Sequence, residues 1–208
     1  MKDPRDRGPR ARRLASYLRR RVKTPAGARP GLDSASAPVL FHRRAVVFTD
    51  TADFTIRTLR DGILHFLMLF ERVRDGAAKV VRASAGEIVK VEADSLLLRF
   101  PDVPSACRGV AALERFLRSL NRRLPADEQL RFSYGIGYGD LLDLEGDLFG
   151  LEVNLASKIG EDMARPGQAL LTPSAAEAVH ARARRRVVPH GSIRFGPRSI
   201  DVHELKLS

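Results

Sequence analysis

Residues 87–100 have the sequence Glu-Ile-Val-Lys-Val-Glu-Ala-Asp-Ser-Leu-Leu-Leu-Arg-Phe, in which two short apolar runs flank a polar break. The runs Glu87–Val91 and Ser95–Phe100 have the length of β-strands. Only three residues, ending in Asp94, separate them, which leaves room for no more than a tight turn. The segment therefore predicts two adjacent strands with Asp94 in the turn between them.

A helix and a strand are predicted on each side of this strand pair. Before it, apolar residues recur at three- and four-residue steps across 56–73, as in an amphipathic helix, and Ala45–Phe48 precedes them as a short strand. After it, a second amphipathic helix across 107–120 leads to a glycine-bearing strand pair, Phe132–Gly139 and Leu141–Leu144. The order β-α-β-β-α-β is that of the split βαβ arrangement.

The predicted fold class is therefore α+β, with a ferredoxin-like, mostly antiparallel sheet and helices on one face. Further elements extend this core towards the end of the sequence. They are a helix at Val153–Met163, a strand at Ala169–Leu171, a helix from Pro173 to about Val179 and a last strand at Ile200–Leu205.

The positive charge of the chain is concentrated near its start. The 208 residues carry a formal net charge of +11, and residues 1–40 hold eleven Lys and Arg against three Asp, a net of +8. Because residues 1–40 are also rich in Pro, Gly, Ala and Ser, we predict a basic, disordered tail or linker before a catalytic domain at 41–208. The tail is either a solvated tether or an electrostatic contact to anionic membrane or nucleic acid.

Composition also predicts the compartment. A single cysteine excludes an internal disulfide and suits a reducing environment. No apolar run approaches the roughly 20 residues that a membrane-spanning helix needs. The first residues are not followed by the apolar segment of a secretory signal. These features predict a cytoplasmic protein.

Two aspartates occupy comparable places in the predicted sheet. Asp50 ends the first strand and Asp94 lies in the turn between the next two, and these strands are neighbours in a split βαβ fold. Two close carboxylates with no His or Cys nearby suit Mg²⁺, which prefers oxygen ligands and substrate phosphates. Either aspartate alone is equally compatible with a turn-capping role. The turn Thr51–Thr55 then enters a helix, whose free N–H groups and dipole favour phosphate.

Several segments resemble the class III nucleotide cyclases, the family of adenylate and guanylate cyclase catalytic domains. The resemblance spans residues 43–206, with the segments in the family's order, and implies the family's fold and a cyclase activity. The two metal-binding motifs are resembled by Phe48–Thr55 and Gly86–Asp94. The glycine-bearing strand is resembled by Tyr134–Gly139, and the segment that binds the base and the transition state by Gly146–Lys158. The closing elements are resembled by Ala164–Gln168 and Val202–Leu205.

The resemblance implies a site for two metal ions, Mg²⁺ or Mn²⁺. Asp50 and Asp94 would bind both ions, with help from the carbonyl of Thr51. Phe54 and Thr55, together with Thr51, would contact the substrate. The implied reaction is attack of the ribose 3′-oxygen on the α-phosphorus of ATP, with loss of pyrophosphate.

The resemblance also implies how the nucleotide is chosen. Lys90 and Asp147 would bind the adenine edge, because lysine donates to a ring nitrogen and aspartate accepts from the exocyclic amine, whereas guanine presents the reverse pattern. Asn154 would orient the ribose, and Lys158 would stabilise the charge that builds on the α-phosphate. These four residues would come from the partner subunit, so the implied enzyme is a homodimer that uses ATP.

Three positions depart from the family's pattern. Lys158 stands where most members have arginine, and lysine lacks the planar fork that holds two phosphate oxygens. Asp53 and Ala93 stand where glycine is usual. Three hypotheses therefore remain. The first is an adenylate cyclase that uses two-metal catalysis at a homodimer interface, and the second is a catalytically weak or inactive nucleotide-binding module for regulation or dimerisation. The third is a different use of the fold, in which the basic tail binds nucleic acid or membrane.

Overall fold

The structure is a computed structural model that describes residues 8–144, 146–179 and 186–207. Within these residues, eight strands form one sheet. The strands are β1 (Phe41–Thr51), β2 (Glu87–Glu92), β3 (Ser95–Phe100), β4 (Phe132–Leu144), β5 (Asp147–Phe149), β6 (Ala169–Leu171), β7 (Val187–Phe195) and β8 (Arg198–Leu205).

Seven α-helices accompany the sheet in the described part of the chain, and none of them is both long enough and apolar enough to cross a membrane. The helices are α1 (Pro9–Lys23), α2 (Arg29–Leu40), α3 (Phe54–Asp61), α4 (Ile63–Ala83), α5 (Val103–Asn121), α6 (Leu151–Asp162) and α7 (Pro173–Glu177).

The strand order confirms the split βαβ arrangement. The sheet runs β2-β3-β1-β4-β6-β8-β7, and β5 pairs with β4 outside this path. β1 pairs antiparallel with both β3 and β4, whereas β4 and β6 are parallel. The predicted α+β class is therefore correct, and β1 lies in the middle of the sheet next to the β2–β3 pair.

Helices cover both faces of the sheet, which corrects the prediction of helices on one face only. Ala45 and Val47 of β1 face the larger core, which contains residues of α4, α5 and α7. Val46 lies between them in the chain and belongs, with Ala156 of α6, to a smaller apolar cluster. Two-sided burial explains why this part of β1 is a continuous apolar run and does not alternate apolar and polar residues.

Glycines in β4 let α6 lie directly against the sheet. A Cβ at Gly135 would stand 1.9 Å from the carbonyl oxygen of Ala156, and a Cβ at Gly137 would stand 2.5 Å from that of Glu152. Both distances are too short for any nonbonded contact, so a side chain at either position would push the helix away. The close approach fixes α6, which carries two of the predicted site residues, on this face.

The glycine-bearing segment is one strand and not the predicted strand pair. β4 stays in register with β1 from Phe132 to Leu142, with Asp140 opposite Arg43. The polar Asp140 is exposed, so it interrupts the apolar pattern without ending the strand. The chain reverses only afterwards, near Gly146 with its φ of 82°, and β5 pairs back onto β4.

The helix predicted across 56–73 is divided into α3 and α4. The break falls at Gly62, whose φ of 84° no helix accommodates. As a result Ile56 and Leu59 on α3 are 65% and 83% exposed, whereas Phe66 and Phe70 on α4 are buried. The apolar pattern therefore continues through both helices in the sequence, but its residues on α3 do not face the core that buries Phe66 and Phe70.

Within the described part of residues 1–40, Pro9–Lys23 and Arg29–Leu40 form helices where the sequence predicts a disordered tail or linker. Pro9 stands in the first turn of α1, a position that proline tolerates well. Arg10 pairs with Asp143 of β4 at 2.7 Å, and Arg21 pairs with Asp33 of α2 at 2.9 Å. These carboxylates offset part of the repulsion among the arginines, which composition alone does not reveal. The division into residues 1–40 and 41–208 stays a prediction.

Candidate active site

Two hydrogen bonds bring Asp50 and Asp94 to the same end of the sheet. Thr51 Oγ1 donates to the carbonyl oxygen of Asp94, and Thr49 Oγ1 accepts from the amide of Leu96 at 2.9 Å. These bonds tie the end of β1 to the turn between β2 and β3. The structure thus places the two aspartates together as the sequence predicts, while their role as metal ligands stays a prediction.

Both carboxylates are about half buried, and both have raised pKa values. Burial, followed by the negative charges of Asp94 and Glu161, raises the pKa of Asp50 to about 6. Burial and, to a smaller extent, the charge of Glu161 raise the pKa of Asp94, which a hydrogen bond from Ser95 opposes. Half-buried carboxylates whose pKa values are raised form a site where a cation would be stabilised.

The donor set fits a hard divalent cation. Within the described ranges, no three His, Cys, Asp or Glu side chains lie close enough to hold one ion between them. Two carboxylates and a backbone carbonyl leave coordination positions for phosphate oxygens and water, which Mg²⁺ ordinarily retains. The site could therefore hold Mg²⁺ or Mn²⁺ together with a nucleotide more readily than alone.

The turn between β1 and α3 presents backbone N–H groups near this carboxylate pair. Phe54 begins α3, and its ring packs edge-on against Phe66 with ring centroids 4.7 Å apart. Its partly buried side chain packs against the larger core, which leaves its backbone to face a phosphate. Thr55 follows it on the exposed side of the first helical turn, where amide groups have no helical partner.

Asp53 precedes α3 in the left-handed region, with a φ of 64°. Its side chain does not cap the helix and lies 3.5 Å from Arg131 Nη2. Ala93, next to Asp94, also has a positive φ, of 43°. These are two of the positions where the resembling family usually has glycine, and the backbone here has the conformation that glycine adopts without strain.

Lys90 and Asp147 form an ion pair. Lys90 Nζ on β2 donates to Asp147 Oδ2 on β5 at 2.9 Å, and it also contacts Glu92. The carboxylates of Glu92 and Asp147 raise the pKa of Lys90. The other oxygen of Asp147 accepts from the amide of Leu148 at 2.9 Å, which fixes the carboxylate in the β4–β5 hairpin. The structure thus brings together the two predicted base-binding residues, and their role stays a prediction.

Asn154 and Lys158 lie four residues apart on α6 and so on one face of it. Asn154 is exposed. Lys158 Nζ lies 2.5 Å from Asp162 Oδ2, one turn further along the same helix. Among the described residues, neither side chain makes a hydrogen bond or ion pair with Asp50, Asp94 or the Lys90–Asp147 pair. One chain therefore holds the predicted site residues in separate groups.

Sequence reasoning missed Glu161, whose charge acts on both aspartates. Glu161 is seven residues beyond Asn154, close to two helical turns, so helical spacing from Asn154 could have identified it. Its Oε1 accepts a hydrogen bond from Ser157 Oγ at 2.7 Å.

Curated relatives of the chain are named adenylate cyclases. The adenylate cyclase of Glutamicibacter nicotianae is 29% identical over 155 residues, which are 74% of this chain and 36% of the relative. That of Streptomyces coelicolor is 27% identical over 175 residues, 84% of this chain and 44% of the relative. The chain spans less than half the length of the curated relatives that it matches. No protein-family model matches it.

A solved cyclase structure has the same fold. The adenylate/guanylate cyclase/hydrolase of Silicibacter pomeroyi has a TM-score of 0.66 at 22% identity, over 79% of this chain and 96% of its own. Together with the curated relatives, this structure confirms the predicted resemblance to the class III cyclases. The chain has the fold of their catalytic domains.

Proposed function

We propose that this chain is the catalytic domain of an adenylate cyclase, which converts ATP to 3′,5′-cyclic AMP and pyrophosphate. The observation that carries the proposal is the Lys90–Asp147 pair at 2.9 Å, held in a fold that also places Asp50 beside Asp94. The curated relatives named adenylate cyclase support it. Since the chain spans only part of those relatives, the activity of any longer protein is part of the proposal.

The Lys90–Asp147 pair favours adenine over guanine. Adenine offers a ring-nitrogen acceptor beside an exocyclic amine donor, which matches one lysine donor and one carboxylate acceptor. Guanine offers a carbonyl acceptor and a ring N–H donor in the reverse order. Without nucleotide the two side chains satisfy each other, so adenine would replace one ion pair with two hydrogen bonds.

Asp50, Asp94 and the carbonyl of Thr51 would hold two divalent cations. Bound cations would neutralise triphosphate charge and favour ionisation of the ribose 3′-hydroxyl. Backbone amides at Phe54 and Thr55 would bind phosphate oxygens, which fixes the α-phosphorus for in-line attack. Position and charge supply most of the rate acceleration in such transfers.

The proposed enzyme is a homodimer with composite sites. In the described structure, Asn154 and Lys158 make no hydrogen bond or ion pair with the aspartate pair of their own chain, which supports their acting on the nucleotide of a second copy. Asn154 would orient the ribose, and Lys158 would leave Asp162 and stabilise charge on the α-phosphate. A single chain would then be inactive.

A second candidate is a weak or inactive nucleotide-binding module. It is favoured by the ion pair between Lys158 and Asp162, which competes with the catalytic role of Lys158. The positive φ values of Asp53 and Ala93 add strain beside the phosphate site. Such a module would bind ATP, form dimers and regulate a partner.

We further propose that the domain acts in the cytoplasm, which the single cysteine supports. The basic character of residues 1–40 would then serve attachment to anionic membrane or nucleic acid.

The test is to incubate the purified chain with Mn²⁺ and ATP, and separately with GTP, and to separate the products by chromatography. Cyclic AMP from ATP, abolished by Asp94→Asn, is the expected result. Cyclic GMP in equal or greater yield would refute the adenine assignment. Binding of ATP without any cyclic product would establish the regulatory module in place of the enzyme.

A further inference from the structure

Helix α1 lies on the surface of the molecule with one side turned to the domain. Ala11 is the one buried residue of Pro9–Lys23. Arg10 pairs with Asp143 of β4 at 2.7 Å, and Arg21 pairs with Asp33 of α2 at 2.9 Å. These contacts fix the rotation of α1 about its own axis, so its opposite side points away from the domain.

The outward side of α1 carries five exposed cationic side chains together with Ser16. Two neighbouring arginines recur seven residues later, close to two helical turns, so both pairs lie on the same side of the helix. A lysine follows one turn further on. The five are Arg12, Arg13, Arg19, Arg20 and Lys23, and we call them the basic ridge.

No carboxylate neutralises the basic ridge within residues 8–144, 146–179 and 186–207. α1 contains no Asp or Glu, and its two ion pairs, formed by Arg10 and Arg21, lie on the side that faces the domain. None of the five ridge side chains forms an ion pair in this part of the chain. Five like charges along about 16 Å of helix repel one another, so an anionic partner would stabilise them.

The orientation of α1 disfavours insertion into a membrane. An interfacial helix buries its apolar side among lipid chains, with a strength that scales with the apolar area. The apolar side of α1 carries Ala11 and Leu14, and the two ion pairs hold it against the domain. Beyond them only Leu18 and Val22 are large, apolar and exposed on this helix, which is a small area for an anchor. Contact through the basic ridge, in contrast, leaves both ion pairs intact.

The shape of the basic ridge suits a groove between two rows of phosphates. The major groove of B-form DNA is about 12 Å wide and admits one α-helix, so cations along the helix reach phosphates on both sides. A flat lipid surface would meet only the crest of the helix. Arginine, which provides four of the five cations, can hold phosphate oxygens with two parallel hydrogen bonds.

We propose that the basic ridge of α1 binds the phosphate backbone of duplex DNA. The binding is electrostatic, with no insertion of apolar side chains, and it carries no sequence information. This inference rests on the part of the proposed function that assigns attachment to residues 1–40. It does not depend on the cyclase reaction, whose proposed residues lie outside α1.

Exposed arginines outside α1 provide a matched control. In the ridge variant, glutamine replaces the four arginines of the basic ridge and lowers the formal net charge of +11 by four. In the control variant, glutamine replaces four exposed arginines of α4, α5 and the segment after α5, with the same change in net charge. They are Arg82, Arg115, Arg122 and Arg123. Glutamine and arginine have similar helix propensities, so both variants should keep their helices.

The experiment measures binding of the full chain to a fluorescein-labelled duplex of about 20 base pairs by anisotropy, between about 50 and 200 mM salt. Five phosphate contacts predict a slope of about −4.5 for log K against log salt, and so a loss of affinity of roughly 500-fold across this range. The ridge variant should have a slope of about −1 and bind at least about a hundredfold more weakly at the lowest salt. The control variant should keep the wild-type slope and lose less than about fivefold.

Lysine at the same four positions tests charge against local structure. Because lysine keeps the positive charge, this second variant should retain a slope close to that of wild type. Circular dichroism of all variants measures their helix content. A ridge variant that keeps its helices but loses no affinity would overturn the inference, as would a wild type that does not bind the duplex at about 50 mM salt.

Two further outcomes would also overturn it. Equal weakening in the ridge and control variants would reduce the effect to net charge. Binding to vesicles of phosphatidylserine and phosphatidylcholine but not to the duplex, lost in the ridge variant, would replace DNA with an anionic membrane. Cyclase assays separate this inference from the enzyme: ridge-dependent binding to the duplex by a chain that forms no cyclic product would retain the ridge and refute the enzyme.

Discussion

At the scale of single residues, Lys158 decides how well the proposed reaction can proceed. It has the positive charge that the α-phosphate requires, but it lies 2.5 Å from Asp162 on its own helix. The Asp50–Asp94 and Lys90–Asp147 pairs could be predicted, because the resemblance to a family aligns each of these residues with a motif. The ion pair with Asp162 was not predicted, although it lies at the i,i+4 spacing that brings two side chains together on one helix.

Replacement of Lys158 by arginine should raise kcat. Arginine would hold two phosphate oxygens with one planar group, an interaction that strengthens as charge develops, so we expect an increase of roughly tenfold in kcat with little change in KM. Steady-state rates at saturating Mn²⁺ measure both constants. A fall in kcat for Lys158→Arg would show that the lysine has its own place in the site.

Ala93→Gly should stabilise the fold. Ala93 has a φ of 43°, a left-handed value that costs a residue with a Cβ about 1 kcal/mol relative to glycine. Part of this gain is offset by the greater freedom of glycine in the unfolded chain, so we expect an increase of about 0.5 kcal/mol in the free energy of unfolding. Urea denaturation measures it. Ala111→Gly within α5 is the matched control and should lose about 1 kcal/mol.

A loss of stability for Ala93→Gly similar to that of Ala111→Gly would contradict the strain at this turn. The comparison also bears on function, because the turn carries Asp94. A higher free energy of unfolding without a change in Mn²⁺ affinity would show that Ala93 destabilises the fold and does not weaken the proposed metal site.

At the scale of elements, the split βαβ core could be predicted, because short apolar runs and amphipathic helices follow one another in the order β-α-β-β-α-β. Three features could not. Gly62 divides the first helix through one positive φ, and Asp140 interrupts the pattern of β4 without ending the strand. β7 was not predicted, because Pro189 and Gly191 stand at a register shift in the middle of its sequence.

The start of α5 offers a test of element stability. Asp102 caps the helix by accepting from the amide of Ser105 at 2.7 Å. Hydrogen bonding from the side chain of Ser105, followed by that from its amide, lowers the pKa of Asp102 below its ordinary value of 3.8. Asp102→Ala should cost about 1 kcal/mol in the free energy of unfolding at neutral pH. Thermal or urea denaturation at several pH values checks it.

The sign of the pH dependence follows from the lowered pKa of Asp102. Its stabilising effect is fully present above the pKa of the unfolded state and is lost as pH falls through the lower pKa of the folded state. The difference between wild type and Asp102→Ala should therefore shrink below about pH 4. Asp102→Asn, which retains an acceptor, should show no such change, and a wild-type advantage that persists at low pH would contradict the capping role.

At the scale of the whole molecule, the predicted site residues apart from the Lys90–Asp147 pair fall into two groups. The aspartate pair lies at the β1 end and the β2–β3 turn, while Asn154 and Lys158 lie on α6 and, in the described structure, make no hydrogen bond or ion pair with it. A second copy related by a two-fold axis would provide each group with its missing counterpart. The contacts within one chain show these two groups. The two-fold axis that would join them belongs to the proposed homodimer.

Mixing two inactive variants tests the central proposal most directly. Asp50→Ala removes a proposed metal ligand and Asn154→Ala removes the proposed ribose contact, so each should make no cyclic AMP alone. After the two are mixed in equal amounts and allowed to exchange subunits, half of the dimers should contain both, with one intact site each. Cyclic AMP formation from ATP and Mn²⁺ should then return to about a quarter of the wild-type rate. No recovery, with mixed dimers demonstrated by copurification of two differently tagged variants, would contradict a cyclase site shared between two copies of this chain.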